Sequence, residues 1–349
     1  MMNFRKVFGA AVMAGAVSMG AVAAQAAAGP SWKIVPLQQD MAFGNFVPLA
    51  LSDDGVATGT VYLKTGGSLA LQATATQASP IDLCGTNGAA DQTIVLSASP
   101  YSSKEFLLAA CGPTQYTLYY IPTRTMTALV PPGFRGGFAG VSNDGTLVGF
   151  CCAGSGGSAV FVDRGGTDSF YSGYILGFGI SSKDTFWFGS QDTCLATTYV
   201  YTAKGMEAVA YRPGGLPFYT WPVQANSRGQ VIGNYSAACG NFRQPALPFF
   251  WSPGYRTGTF FSPPAGLNVT TTWLVALNER GWVAGNTTAE PFLWNPLTGQ
   301  TVSIPTPAGV TNFFVAAMNN HGAVTGTYLL GGSTVPFIAF CRGTDCPGR

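Results

Sequence analysis

One ten-residue phrase recurs along this chain and constrains it more than any other feature. LSDDGVATGT from Leu51, VSNDGTLVGF from Val141, ANSRGQVIGN from Ala225, LNERGWVAGN from Leu277 and MNNHGAVTGT from Met318 all carry Gly at the fifth and ninth places. Two degenerate copies, SSKEFLLAAC from Ser102 and SSKDTFWFGS from Ser181, fall in the gaps and match each other better than the rest. Anchored on the fifth place, the seven copies stand at positions 55, 106, 145, 185, 229, 281 and 322, in steps of 39 to 52 residues. Steps of that length suit propeller blades, whereas a solenoid coil is much shorter.

Each unit also reads internally as four strands. In the sixth, Trp273 to Leu277 is the first strand, and Asn278 to Gly281 the turn, where Asn caps its own backbone and Gly takes the left-handed position. Trp282 to Asn286 is the second strand and Pro291 to Trp294 the third, with Phe292 and Trp294 on one face by the period of two. Gln300 to Ile304 is the fourth. Similar third strands begin at Ala159, Thr198, Pro248 and Pro336, and Pro-Gly connectors recur at Val130, Tyr211, Ser262 and Pro305. The seventh unit stops after its third strand, while an orphan strand, Trp32 to Leu37, precedes the first. The orphan can complete the last blade and remove two exposed sheet edges. The expected fold is therefore all-β: one seven-bladed β-propeller over residues 27–349, its N-terminal strand closing the last blade. With 46 glycines, 24 Phe, 14 Tyr and 9% charged residues, the composition fits strands joined by frequent turns.

Leu277 to Asn286 followed by Ala289-Glu290-Pro291-Phe292-Leu293-Trp294 resembles the HAF family of bacterial extracellular repeats, although the His-Ala that precedes the Phe in that family is replaced here. The resemblance covers nearly the whole mature chain and implies an exported, propeller-like protein. It implies no particular activity.

The N-terminus supports export independently. Arg5 and Lys6 precede an uncharged apolar run that ends in Ala24-Gln25-Ala26, the small-x-small pattern of a signal peptidase site, so residues 1–26 read as a signal peptide. No later segment reaches the roughly 20 apolar residues that span a bilayer, so no membrane insertion is expected after signal removal. The expected location is the periplasm or the outside of the cell. Lys+Arg 17 against Asp+Glu 15, with the basic residues scattered singly, gives nothing like the footprint of a nucleic-acid binder.

Eight cysteines in an exported chain suggest disulfides. The repeat places Cys111, Cys151 and Cys152 just after the second strands of units two and three, and Cys194 and Cys239 slightly further on in units four and five. All five then lie on one face, together with Cys84 in the connector before unit two. The expected pairs are Cys84 to Cys111, Cys194 to Cys239 and Cys341 to Cys346. Cys151 and Cys152 are left as a vicinal disulfide or as thiols.

A catalytic constellation has little material. The one histidine, His321, holds the turn place filled elsewhere by Asp54, Asp144, Arg228 and Arg280, so neither a His-assisted nucleophile nor a multi-His metal site is expected. Asp53, Asp54, Glu105, Asp144, Asp184 and Glu279 are accounted for by turn chemistry, and nothing in the spacing of the other acidic residues brings a pair together. No catalytic residue, metal or cofactor is assigned. Aromatic residues remain. Trp221, Trp273 and Phe314 stand eight before the anchor in three successive units, an expected packing position between blades. The long loop from Ser236 brings Asn241, Phe242, Arg243 and Gln244 together, and with Arg212 and Tyr219 of a neighbouring connector it forms the expected binding surface on the Cys-bearing face. The function these features point to is non-catalytic binding of a saccharide or protein partner. The alternative is a hydrolase or lyase acting on extracellular polysaccharide through paired carboxylates.

Overall fold

The recurring phrase is a hairpin. At Asn278 the backbone N–H bonds the Trp282 carbonyl at 3.0 Å, and Gly281 N–H bonds the Asn278 carbonyl at 3.1 Å. Gly281 sits at φ 83°, a conformation that needs no side chain. The Asn278 side chain closes the turn by accepting from Arg280 N–H at 3.0 Å and Trp282 N–H at 2.9 Å. The same backbone pair recurs at Ser52, Ser142, Asn226 and Asn319. The ninth-place glycine answers a different need, because the first strand bulges as it passes. A Cβ on Gly326 would lie 1.8 Å from the Phe314 carbonyl oxygen.

The computed structural model describes residues 30–37, 43–84, 93–98, 106–111, 115–129, 137–154, 157–163, 168–182, 185–192, 195–209, 219–236, 247–253, 259–260, 271–343 and 346–347. Its strands are β1 (Ser31–Pro36); β2 (Phe43–Leu51), β3 (Ala57–Leu63), β4 (Ser68–Ala73) and β5 (Ala78–Ile81) of the first blade; and β6 (Thr93–Ala98), β7 (Phe106–Cys111), β8 (Tyr116–Tyr120) and β9 (Thr125–Leu129) of the second. The third and fourth blades hold β10 (Gly137–Val141), β11 (Leu147–Gly154), β12 (Gly157–Asp163), β13 (Asp168–Ser182), β14 (Thr185–Asp192), β15 (Leu195–Thr202) and β16 (Gly205–Val209). The fifth has β17 (Tyr219–Ala225), β18 (Val231–Ser236), β19 (Leu247–Trp251) and β20 (Thr259–Phe260). The sixth has β21 (Trp273–Leu277), β22 (Val283–Asn286), β23 (Pro291–Trp294) and β24 (Thr301–Ser303). β25 (Val310–Met318), β26 (Val324–Leu330) and β27 (Ser333–Arg342) belong to the seventh.

These form a seven-bladed β-propeller in which each blade is an antiparallel sheet, ordered from the axis outward as the chain runs. The orphan strand closes it: β1 pairs antiparallel with β27, from Ser31 opposite Arg342 to Pro36 opposite Phe337. Trp32 Nε1–H also reaches the Ser303 carbonyl of the sixth blade at 2.9 Å. Blades three and four are one continuous seven-stranded sheet, because β13 runs without interruption from the rim of one to the axis of the next.

The core lies between blades, and the period of two assigns each residue to a side. Phe292 and Trp294 pack with Ile232 and Phe250 of the fifth blade. Leu293, between them, packs with Phe313, Val324 and Phe337 of the seventh. Hydrogen bonds from buried side chains to the next blade's backbone join the same interfaces. Asn226, Asn278 and Asn319 donate through Nδ2 to the carbonyls of Asn278, Asn319 and Ser52, at 3.0, 3.1 and 2.9 Å. Asn286 clasps Val315, accepting its N–H at 2.8 Å and donating to its carbonyl at 2.9 Å. Thr60 accepts from Val95 N–H in the same way, at 2.9 Å.

Two of the expected disulfides are present, Cys84–Cys111 and Cys341–Cys346. Cys194 and Cys239 lie outside the described residues. Cys151 and Cys152 fall within β11 rather than just after it, with their side chains outside the described set. The two degenerate copies of the phrase require a correction. Ser181 Oγ donates to the Thr185 carbonyl as Ser142 Oγ does to Thr146, and Ala109 pairs with Val95 at the bulge as Gly285 pairs with Leu274. Both copies are therefore offset by one residue, with Ser181 at the second place and Ala109 at the ninth; their turn residues lie outside the described set. With no fifth-place glycine in either copy, the sequence offers no internal mark of the register.

Candidate functional site

Because the innermost strand of every blade runs along the axis, seven chain segments converge there. They enclose a cavity of about 280 Å3. One level of it takes the residue three before each hairpin turn closes on its second strand, and the pairing identifies these as Ala50, Ser97, Gly140, Gly179, Gln224, Ala276 and Ala317. Six of the seven side chains are small, as seven strands crowding round one axis favour, and Gln224 is the exception. Where Gly179 leaves space, the indole of Trp187 from the second strand of the blade takes it. A Cβ on Gly179 would meet that ring at 2.3 Å. Trp187 is 6% exposed and lines the cavity.

Among the described residues the lining is uncharged, and Ser97, Gln224 and the indole of Trp187 carry its polar side-chain atoms. Ser97 and Gln224 are each fixed by a bond to the following blade. Gln224 Oε1 accepts from Leu277 N–H at 2.8 Å, and Ser97 Oγ accepts from Val141 N–H at 3.3 Å. The Gln224 amide N–H2 and the Ser97 hydroxyl hydrogen keep their donor capacity. These two blades are three apart in a ring of seven, so the donors stand on opposite sides of the cavity.

Two residues before Val275 and Ala316 of the wall come Trp273 and Phe314. They pack against each other across the sixth and seventh blades as expected, but both are 37% exposed rather than part of the core. Their rings are 5.9 Å apart and tilted at 41°. The physical reason is radial position: both lie on innermost strands, Trp273 at the start of β21 opposite Asn286 and Phe314 at the same register of β25 opposite Thr327, on the Cys84–Cys111 side of the wall residues Val275 and Ala316. Val47 and Ile94 hold the corresponding places in blades one and two and are also exposed. This end of the cavity, its mouth, lies on the face of Cys84–Cys111, since Cys111 pairs with Thr93 at the same end of its blade. The side chain of Trp221 is outside the described set.

Of the surface expected from the sequence, Arg212, Asn241, Phe242, Arg243 and Gln244 lie outside the described residues. Tyr219 begins β17, paired with Ser236, and its side chain is outside the described set. The described carboxylates of the hairpins serve the opposite end of the blades. Glu279 accepts from Ser227 N–H and Oγ–H, Asp53 accepts from Asn320 N–H at 2.8 Å and Nδ2 at 3.0 Å, and Asp54 and Asp144 accept from Ser52 and Ser142 Oγ–H. His321 is an exposed turn residue whose N–H bonds Asn319 Oδ1 at 3.1 Å. Among the described residues, no three His, Cys, Asp or Glu gather as metal ligands would. Among them, too, no helix is long and apolar enough to cross a membrane.

No protein-family model and no curated protein matches the chain. Among solved structures, an oligogalacturonate lyase in complex with manganese is similar over 89% of this chain and 98% of its own, at 11% identity and a TM-score of 0.56. The oligogalacturonate lyase of Vibrio parahaemolyticus is similar over 88% and 98%, at 10% identity and 0.57. The β-propeller domain of Myceliophteria thermophila Cps50 (Swd1) is similar over 86% and 98%, at 13% identity and 0.50. At such identities the likeness is one of fold.

Proposed function

We propose that the chain is an exported, non-catalytic β-propeller of the HAF type that binds a saccharide or protein partner on the face carrying Cys84–Cys111. The observation that carries the reading is the axial cavity. Its wall offers two neutral hydrogen-bonding side chains, an indole and small apolar groups, a lining suited to holding a ligand and poor in groups that move protons. Two disulfides accord with an oxidising compartment, as does the signal peptide assigned to residues 1–26. Residues 241–244, with Arg212 and Tyr219, join this face in the proposal as a loop surface around the mouth.

The alternative, a polysaccharide hydrolase or lyase, shares its fold with the two lyases. A single screen separates the readings. The purified mature protein is offered bacterial and plant polysaccharides and cell-wall fragments, with binding and release of new chain ends measured in parallel. Binding without cleavage is the expected result, and turnover of any of these substrates would replace the reading with the alternative.

A further inference from the structure

Resting on that binding reading, we infer that the axial cavity takes the terminal unit of a neutral saccharide, held by Ser97 and Gln224 against Trp187, with the next unit over Trp273 and Phe314. Four observations converge on this ligand class. Ser97 and Gln224 each accept one N–H from the following blade, and no bond donated by their own hydrogens is found among the described residues, so an occupant that brings acceptors suits them. An apolar peptide side chain would cover these donors without replacing the water they bond, which opposes burial. Among the described residues the lining carries no charge, so an anionic unit would be desolvated against them with no counter-charge. What remains is a neutral group rich in hydroxyls.

Size and shape narrow it further. The cavity, about 280 Å3, is at the small end of the range ligand sites occupy, room for one hexose-sized group and not for a folded segment. A pyranose presents an edge of hydroxyls and a face of C–H groups. The indole of Trp187 and the exposed Trp273–Phe314 pair suit the face, while Ser97 and Gln224, on opposite sides, suit the edge. Trp187 stands in the wall on the second strand of the fourth blade, while Trp273 and Phe314 stand on the innermost strands of the sixth and seventh, two residues from Val275 and Ala316 of the same wall, so successive units can meet both.

The test uses the full mature protein and defined probes: maltopentaose, cellopentaose and chitopentaose as neutral oligosaccharides, and trigalacturonate as an anionic control, measured by calorimetry and tryptophan fluorescence. At least one neutral probe is expected to bind, and trigalacturonate is not. Trp273→Ala and Phe314→Ala change exposed side chains and should each weaken binding by about tenfold. Gln224→Glu keeps an oxygen for Leu277 N–H while removing the N–H2 donors, and should abolish binding; the uncompensated carboxylate lowers the unfolding midpoint, and an unchanged circular-dichroism spectrum at the assay temperature separates lost binding from a lost fold. Binding of a neutral probe that survives both Trp273→Ala and Gln224→Glu overturns this site while leaving the binding function intact. Stronger binding of trigalacturonate overturns the ligand class. Binding of none of the neutral probes overturns the inference, and a peptide partner found in the broader screen would then still satisfy the proposed function.

Discussion

The inter-blade asparagines give a sharp prediction at Asn278. Its side chain is buried and makes three hydrogen bonds, two that close its own hairpin and one, at 3.1 Å, to the Asn319 carbonyl of the next blade. Replacing Asn278 by Ala strips all three. At about 1 kcal/mol for each lost bond, and somewhat more for a buried group left without a partner, the cost should be roughly 3–4 kcal/mol. Asn278→Ser separates the terms, because the first, third and fourth blades already carry Ser at this place. There Ser52 Oγ accepts from Val56 N–H at 2.9 Å and so serves its own turn, but its side chain is too short to reach the next blade. The Ser variant should therefore keep the hairpin, lose the link to Asn319 and cost about 1–2 kcal/mol. Equilibrium urea unfolding with a common m-value measures both. A Ser variant as stable as the parent would refute the claim that these links hold adjacent blades together.

Other positions give independent checks. Converting both Cys84 and Cys111 to Ser opens a covalent loop with a sequence separation of 27 and should cost about 3–4 kcal/mol in urea unfolding under oxidising conditions, with no loss when the parent is already reduced. Gly326→Ala would force a Cβ against the Phe314 carbonyl and should destabilise by at least 2 kcal/mol, whereas an Ala at Gly66, where a Cβ meets open space but φ is positive, should cost about 1 kcal/mol. Burial pushes the hydroxyls of Tyr235 and Tyr328 above their ordinary value of 10.0. The folded state therefore holds these protons longer than the unfolded chain, so their contribution is intact below pH 10 and is lost as pH rises through the folded values. Stability measured from pH 8 to 11 should decline at the alkaline end, and Tyr328→Phe should flatten the decline.

The sixth blade shows what a repeat makes legible. Its first and third strands lie where the sequence puts them, at Trp273–Leu277 and Pro291–Trp294, because turn glycines and alternating apolar residues are local signals. Closure by the N-terminal strand was legible from the count of strands, and the pairing of Cys84 with Cys111 from the repeat's register. Distance from the axis was not. Trp273 and Phe314 look like core residues in any pattern of hydrophobicity, and only the convergence of seven strands shows that they stand at an opening. The same holds for Ser97 and Gln224, which lie at one level although their blades have hairpins of different sequence. The joint sheet of blades three and four left one trace: no Pro-Gly connector separates them, and β13 contains no proline. The offset of the degenerate copies had no trace, since neither copy has the fifth-place glycine that marks the register in the other five.

The pairing of β1 with β27 sets the order in which the molecule can be finished. Ser31 and Arg342 are 311 positions apart, so the first strand to be synthesised waits for the last before it finds its partner. A chain interrupted anywhere before Ser333 leaves the seventh blade without its third strand and β1 without a neighbour. Such a product carries open strand edges that template association with other chains. The ring thus ties closure to β27: only a chain that runs through that strand can seal itself, and until then β1 and the seventh blade keep open edges.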